Sequence, residues 1–222
     1  MNIWYIITVV SGFSSIVPAI AGWRRWRKIR SLFHPFIIIL WANFIAELVS
    51  FLSVHFHGFN AAWYNIYAFI AYPFIAWQLL LWSPCKNFSR LLFFSTGFLL
   101  LLWLFEWHST GSLGKVFTLF LVMRDACISS FCFYLLYRRI PALSAGVFKD
   151  AIVLICSGWL ILSAYEGITE LLIFCGEWLQ TPELPYVEPL FSFINFFVIV
   201  IHLIAVIWIP PKPPSSLPQP QY

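Results

Sequence analysis

Charged residues are scarce in this sequence, and their scarcity excludes a soluble globular domain. Only 10% of the 222 residues are charged, whereas 61% are hydrophobic and 20% are aromatic. An ordinary soluble domain has about 25% charged residues. We therefore predict an integral membrane protein.

Several motifs that carry chemistry in other proteins are also missing. No phosphate-binding loop, zinc-type cysteine pair or Gly-x-Ser-x-Gly motif occurs. The five cysteines are scattered and give no disulfide framework, so we interpret them as small apolar residues. No basic region precedes the first apolar run and no clear cleavage pattern follows it, so we expect a retained span there.

Seven apolar runs of helix length are present, and a bilayer-spanning helix needs about 20 residues. The runs are continuous, unlike the alternating segments of about ten residues in a membrane barrel. We predict an all-α fold, a bundle of seven transmembrane helices in one domain, 1–209, followed by a Pro-rich disordered tail, 210–222. The predicted spans are residues 2–21, 35–57, 60–82, 89–106, 115–137, 150–175 and 188–209.

Positive charge is concentrated in the segments that follow spans 1, 3, 5 and 7. Eleven of the 13 basic residues lie there, and Lys115 is the one cation predicted on the other side. Cytoplasmic loops carry an excess of Lys and Arg, so we predict an inner-membrane, multi-pass protein with its N-terminus outside and its C-terminus inside. The basic loops 22–32 and 138–149 are expected to meet membrane lipids and are candidate contacts for a cytoplasmic partner, whereas no nucleic-acid partner is expected.

A few ionisable and polar residues lie within the spans, where an unpaired charge costs several kcal/mol. Counting along each helix places Glu47 and the pair Arg124-Asp125 near the midplane, with Glu166 about one turn further outward. The residues that we predict to line an outward-facing cavity for a ligand or ion are Glu47, Arg124, Asp125, Glu166, Glu170 and Asn195. Secondary candidates are Asn65, Tyr67 and His202.

Helical spacing places the polar residues of four spans on one stripe each. The stripes are Asn43, Glu47, Ser50 and His57 in span 2, Thr118, Asp125, Ser129 and Cys132 in span 5, Ser163, Glu166 and Glu170 in span 6, and Glu188, Ser192, Asn195 and His202 in span 7. The other faces are apolar, so we expect the stripes to converge on the bundle axis. Span 4 has no stripe and is predicted to be peripheral.

The predicted layer holds four acids, Glu47, Asp125, Glu166 and Glu170, but one arginine, Arg124. Such an excess cannot stay ionised in a low dielectric. At least one acid should therefore be protonated, hydrated, or paired with a bound cation or amine. A structural alternative stays open, in which the arginine and its carboxylates join helices and serve no ligand.

Two known classes with seven membrane helices do not fit the sequence. The predicted topology is similar to that of the rhodopsins, but a retinal pigment needs a Schiff-base lysine within span 7. All five lysines lie at span ends or in loops, so we predict no retinal and no other cofactor. An intramembrane metal hydrolase of the ceramidase type needs a second histidine four residues from His202, which is missing, so no metal site is predicted.

Four short segments resemble the small uncharacterised seven-helix inner-membrane proteins common in Bacteroidota. They are residues 17–22 with the basic loop that follows, Glu47, residues 65–67, and residues 139–141. The resemblance covers most of the length and implies a fold and a location, but no activity. In that group an acid often follows the Asn-x-Tyr motif within a turn, and residues 68–71 contain none here.

Three hypotheses for the function remain. The first is a receptor-like sensor of a small ligand or ion, which uses the outward cavity and the basic inner loops. The second is a transporter or proton-coupled carrier that uses the same acids. The third is an intramembrane hydrolase that uses His202 with Glu47 or Asp125. We favour the first, and accordingly predict no enzymatic activity and no catalytic residues.

Overall fold

The computed structural model describes residues 3–83, 85–143, 146–179 and 187–212. This part of the chain is helical, and seven of its segments are long and apolar enough to cross a membrane, which confirms the predicted multi-pass helical bundle. From residue 213 on, the predicted disordered tail lies outside the described residues. The α-helices are α1 (Ile3–Ser14), α2 (Ile16–Arg25), α3 (His34–His57), α4 (Ala61–Leu81), α5 (Lys86–Thr110), α6 (Thr118–Arg139), α7 (Ala151–Leu179) and α8 (Val187–Trp208).

The first span is divided into α1 and α2 by a break at Ser15. Pro18 has no backbone N–H, so the carbonyl of Ser14 lacks its usual donor four residues on. The serine hydroxyls bond locally at the break: Ser14 Oγ donates to the Ser11 carbonyl at 2.6 Å, and Ser15 Oγ donates to the Gly12 carbonyl at 2.8 Å. The chain therefore crosses the bundle in two helical pieces.

Two other helices end at glycines in the left-handed backbone region. Gly58 follows α3 with φ +79°, and Gly111 follows α5 with φ +65°. The N–H of each glycine donates to the carbonyl four residues earlier, at 3.0 and 3.1 Å. A residue with a Cβ adopts this conformation at a cost, so the two glycines fix where the helices stop.

The helices form a bundle in which the first and last spans are neighbours. The most extensive contact is between α6 and α7, and α8 packs against α7, α1 and α2. α3 packs against α4 and α2, and α5 packs mainly against α4 and α6. In the most apolar 18-residue stretch of α5 only 17% is buried, the smallest buried share among the seven spans. The prediction that the fourth span is peripheral is confirmed.

Apolar side chains cover the outside of the bundle. The phenyl rings of Phe93 and Phe94 on α5 are 77% and 72% exposed, whereas the polar side chains of Asn65, Gln78 and Asp125 are buried. This distribution is the reverse of that in a soluble protein. It is the arrangement expected where lipid tails surround the helices.

Several basic segments meet at one end of the bundle, which we call the basic end. Lys212 N donates to the carbonyl of Lys28 at 2.7 Å, so the chain after α8 is paired with the loop after α2. Arg25 donates to the carbonyls of Val206 and Ile207 in the last turn of α8 and to that of Ile209, just after the helix. Arg139 and Asp150, which flank the connection from α6 to α7, line one cavity with Arg30 at the same end and pair with each other at 2.8 Å. The loops 58–60 and 111–117 lie at the opposite end.

Candidate functional site

The buried arginine of α6 forms ion pairs with two acids. Arg124 Nη2 lies 2.8 Å from Asp125 Oδ1 and 3.0 Å from Glu166 Oε2 on α7. The Arg124 and Asp125 side chains are 7% and 1% exposed. The ion pair between Arg124 and Glu166 joins the two helices that pack most closely.

The contact between α6 and α7 continues away from the arginine. Ser129 Oγ and Ser163 Oγ lie 2.9 Å apart, and Ser163 also donates to the carbonyl of Trp159. A Cβ at Gly167 would lie 3.2 Å from the Cβ of Asp125, so the glycine permits the close approach of α7. These contacts indicate that the Arg124 cluster holds helices together, whatever else it does.

Glu170 connects this layer to α4. It is 9% exposed and lies one turn along α7 from Glu166. The hydroxyl of Tyr64 on α4 donates to Glu170 Oε1 at 3.4 Å. Three helices, α4, α6 and α7, therefore contribute side chains to the buried polar layer.

A cavity of about 290 Å³ lies beside this layer, between α1, α2, α3, α4, α7 and α8. It extends from Ser50 and Asn60, near the loop at the end opposite the basic end, to His202. A smaller cavity of about 80 Å³, lined by Arg124 and Asp125, adjoins it, since Glu166 lines both. Of the predicted site residues, the structure places Glu47, Glu166, Asn195, Tyr67 and His202 around the larger cavity.

Glu47 stands on the α3 wall of the 290 Å³ cavity. Its carboxylate faces Gly12 of α1, where a Cβ would lie 2.8 Å from Oε2. Among the described residues, none donates a hydrogen bond to this carboxylate or forms an ion pair with it. Glu47 thus differs from Asp125 and Glu166, whose charges face the arginine.

The remaining walls combine amides, hydroxyls and aromatic rings. The Tyr67 hydroxyl donates to Asn43 Oδ1, and Asn60 Nδ2 donates to Ser50 Oγ. Such groups can bind either a polar ligand or water. The aromatic residues of the lining are Trp63, Tyr64, Tyr67 and Phe191.

Asn195 lies where α8 meets α1, and the contact involves residues that sequence reasoning missed. Asn195 Nδ2 donates to Ser11 Oγ at 3.3 Å, and Ser11 Oγ donates to the carbonyl of Ser192 at 2.8 Å. Thr8 Oγ1 lies 2.9 Å from Ser192 Oγ. The available signal was the helical spacing of Thr8, Ser11 and Ser15 in a span without charges.

His202 lies at the end of the cavity that is closer to the basic end. Its ring contacts Phe36 and Trp159 edge-on, with centroids 5.3 and 6.5 Å away. A Cβ at Gly158 would lie 2.6 Å from Nε2, so α7 approaches the ring only because this residue is glycine. The buried Nε2 has no hydrogen-bond partner within the described part of the chain. Both aromatic rings are buried, and neither lines the 290 Å³ cavity.

Asn65 is not part of the cavity, although Tyr67 is. Asn65 Nδ2 donates to the carbonyls of Leu113 and Lys115, at 3.2 and 2.7 Å, and Oδ1 accepts from Phe117 N at 3.0 Å. Asn65 thus secures the loop between α5 and α6. The two polar residues of the Asn-x-Tyr motif serve opposite faces of α4, as residues two apart on a helix do.

Histidine, cysteine and acidic side chains do not gather into a metal site in the described residues, where no group of three or more could hold an ion. Comparisons with known proteins give no match: no family model, curated protein or solved structure is significantly similar to this chain. The resemblance to the Bacteroidota group therefore stays a prediction. The cavity itself is the basis on which a function can be proposed.

Proposed function

We propose that this protein is a receptor-like membrane sensor that binds a small cation or protonated amine in the 290 Å³ cavity. The observation that carries the proposal is the Glu47 carboxylate, which stands on the cavity wall inside an apolar helix, with no partner among the described residues. An unpaired charge at such a depth costs several kcal/mol. A bound cation would offset that cost.

The balance of charge around the cavity favours a cation over an anion. Arg124 faces two carboxylates, those of Asp125 and Glu166, so its charge is already shared. Glu47 adds a further negative charge to the same layer. An anionic ligand would meet this surplus and be repelled.

The lining also suits an ammonium group. The face of an aromatic ring attracts a cation within about 6 Å of its centre, and the lining contains Trp63, Tyr64 and Tyr67. The volume lies near the lower end of the range of about 300–1,000 Å³ that is usual for drug-sized ligands. We therefore expect a small amine or a hydrated metal cation.

The positive-inside rule supports an orientation in which the basic end faces the cytoplasm of an inner membrane. In that orientation the cavity begins near the outer loop 58–60 and ends at His202, short of the inner side. The basic loops 22–32 and 138–149 would then face a cytoplasmic partner. Phe36 and Trp159, which contact His202, would close the route from the cavity to the cytoplasm, as suits a sensor.

A proton-coupled carrier is the second candidate, and the position of His202 favours it. His202 and Glu47, two groups that can exchange protons, line the same cavity. A carrier would have to open the aromatic contact at Phe36 and Trp159 during transport. The hydrolase hypothesis, which uses the same His202 and Glu47, stays a prediction.

Binding of small cations to the purified protein in lipid nanodiscs tests the proposal. Isothermal titration with tetramethylammonium, ethanolamine, Na⁺ and K⁺ should identify at least one ligand, and Glu47→Gln should lower its affinity at least tenfold. The matched control is Glu106→Gln, since Glu106 accepts hydrogen bonds from Leu119 N and Phe120 N and does not line the cavity. Equal affinity of wild type and Glu47→Gln would contradict the proposal.

Flux through liposomes separates the sensor from the carrier. Proteoliposomes with a gradient of the bound cation, or of protons, should show no uptake beyond that of empty vesicles. Uptake that disappears in Glu47→Gln would replace the sensor by the carrier, while binding at the same cavity would be retained.

A further inference from the structure

A third cavity, of about 380 Å³, lies at the basic end. It is lined by the loop after α2, the last residues of α4 and α8, and the segment that joins α6 to α7. Three basic side chains border it, those of Arg30, Arg139 and Lys149. The proposed cation site shares none of its lining residues.

Asp150, the one acid in the described lining, is already bound on several sides. Arg139 donates to it through Nε and Nη2 at 2.8–3.1 Å. The N–H groups of Ile152 and Val153, in the first turn of α7, donate to Asp150 Oδ1 at 2.9 and 3.1 Å. The carboxylate therefore caps α7 and neutralises one of the three cations.

The two other cations lack a carboxylate. Lys149 Nζ lies 5.6 Å from the ring centre of Trp208, a contact that leaves its charge uncompensated. The Arg30 side chain forms no hydrogen bond or ion pair with any described residue. The cavity thus carries a surplus of two positive charges from two separate segments of the chain, which is the arrangement that an anion would stabilise.

We propose that this cavity binds the phosphate of an anionic phospholipid. Guanidinium and ammonium groups are the usual protein ligands of phosphate, because they form short, charge-assisted hydrogen bonds. Arg30 and Lys149 approach the cavity from different loops, so one phosphate between them would join the loop after α2 to the start of α7.

Apolar walls favour a lipid over free phosphate as the source of that group. Leu81 and Trp208, at the ends of α4 and α8, line the cavity and are 45% and 42% exposed. Tryptophans at helix ends lie at the level of lipid head groups. An acyl chain can therefore leave the cavity over these side chains and enter the bilayer, whereas inorganic phosphate would leave the apolar walls unused.

Native mass spectrometry of the delipidated, full-length protein in a neutral detergent tests the proposal. Phosphatidylglycerol and phosphatidylcholine with identical acyl chains are titrated separately, and we expect at least a tenfold preference for phosphatidylglycerol. Arg30→Gln and Lys149→Gln should each lower the phosphatidylglycerol affinity about fivefold, the effect of one basic residue near anionic lipid. Inorganic phosphate and glycerol 3-phosphate, titrated separately, show whether the head group suffices without acyl chains.

Arg27→Gln is the matched control, because Arg27 lies in the same loop as Arg30 but does not line the cavity. It should lower the affinity less than twofold. Equal losses in Arg27→Gln and Arg30→Gln would show diffuse attraction to the whole loop and overturn the site. Tight binding of inorganic phosphate without a lipid preference would keep the phosphate site and overturn the lipid as its source. Because Lys149 belongs to another segment, its variant still decides the matter if Arg30→Gln does not fold.

Discussion

Two groups of acids share one polar layer of this bundle, and they differ in what surrounds them. At the interface of α6 and α7, Asp125 and Glu166 both face the buried Arg124. On the wall of the 290 Å³ cavity, Glu47 faces a glycine and open space. Glu166 belongs to both regions, because it pairs with Arg124 and also lines the cavity.

This difference separates stability from binding. Where a charge has a partner on a neighbouring helix, removing either member leaves the other buried and unpaired, so the free energy of unfolding falls. Where a charge has no partner among the described residues, removing it breaks no contact that stabilises the fold. The variant should then lose ligand affinity but keep its stability. The following variants test this distinction.

The largest effect on stability is expected for Arg124→Gln. Asp125 is almost fully buried, so loss of the guanidinium should lower the free energy of unfolding by about 3–5 kcal/mol. Thermal unfolding in detergent measures the change. The matched control is Arg139→Gln, which removes an Arg–Asp pair whose arginine is 43% exposed, and it should cost about 1 kcal/mol or less. Equal losses in the two variants would show that the buried Arg124 cluster stabilises the fold no more than a partly exposed ion pair does.

Asn65→Ala should follow, with a loss of about 2–3 kcal/mol. The variant leaves the N–H of buried Phe117 without its acceptor and frees two carbonyls of the loop 111–117. Hydrogen exchange should increase in that loop, while cation binding in the cavity stays within twofold of wild type. A loss of cation binding without a loss of stability would show that Asn65 contributes to the cation site after all.

Gly158→Ala should have an intermediate effect. Its Cβ would lie 2.6 Å from His202 Nε2, and overpacking of this kind costs about 1–2 kcal/mol. Gly97→Ala in α5 is the control, because no atom lies within 4 Å of the position that its new methyl group would take. Thermal unfolding should distinguish the two variants, and a stability loss in Gly97→Ala as large as that in Gly158→Ala would show that helix packing is not the cause.

The smallest effect on stability is expected for Glu47→Gln. Since the carboxylate has no partner to lose among the described residues, the free energy of unfolding should fall by no more than about 1 kcal/mol, while cation affinity falls at least tenfold. Glu166→Gln should lower both quantities, because Glu166 serves both regions. If Glu47→Gln destabilises the protein as strongly as Arg124→Gln, Glu47 belongs to the structural group.

Sequence patterns predicted the spans well, because these follow from composition. Of the stripe residues, His57 is exposed at the end of α3 and the side chain of Glu188 lies outside the described residues. The patterns located Glu47, Asn195 and His202 on faces that do line the cavity. Span ends were less accurate: α5 covers Lys86–Thr110, not 89–106, because polar residues such as Lys86 and His108 continue the helix beyond its apolar run.

The contact partners of each polar side chain could not be predicted from the sequence, because they depend on how the helices and loops pack. The separation of Asn65 from Tyr67 follows from helical geometry, but the loop that Asn65 binds does not. Gly12 and Gly158 matter because they have no side chain and so leave room for Glu47 and His202, which a hydropathy pattern cannot show. The cavity at the basic end combines residues far apart in sequence, and only their positions in space bring Arg30 and Lys149 together.

The interruption of the first span has a mechanical consequence. Gly12, Ser15 and Pro18 line the cavity at the break, and a helix bends most easily at such a point. On one side of the break Ser11 donates a hydrogen bond to the carbonyl of Ser192, near the start of α8. On the other side Arg25 donates to the carbonyl of Ile207, in the last turn of α8. Any tilt of α2 about Ser15 would therefore either break the hydrogen bonds of Arg25 or move the end of α8 together with the arginine-rich loop.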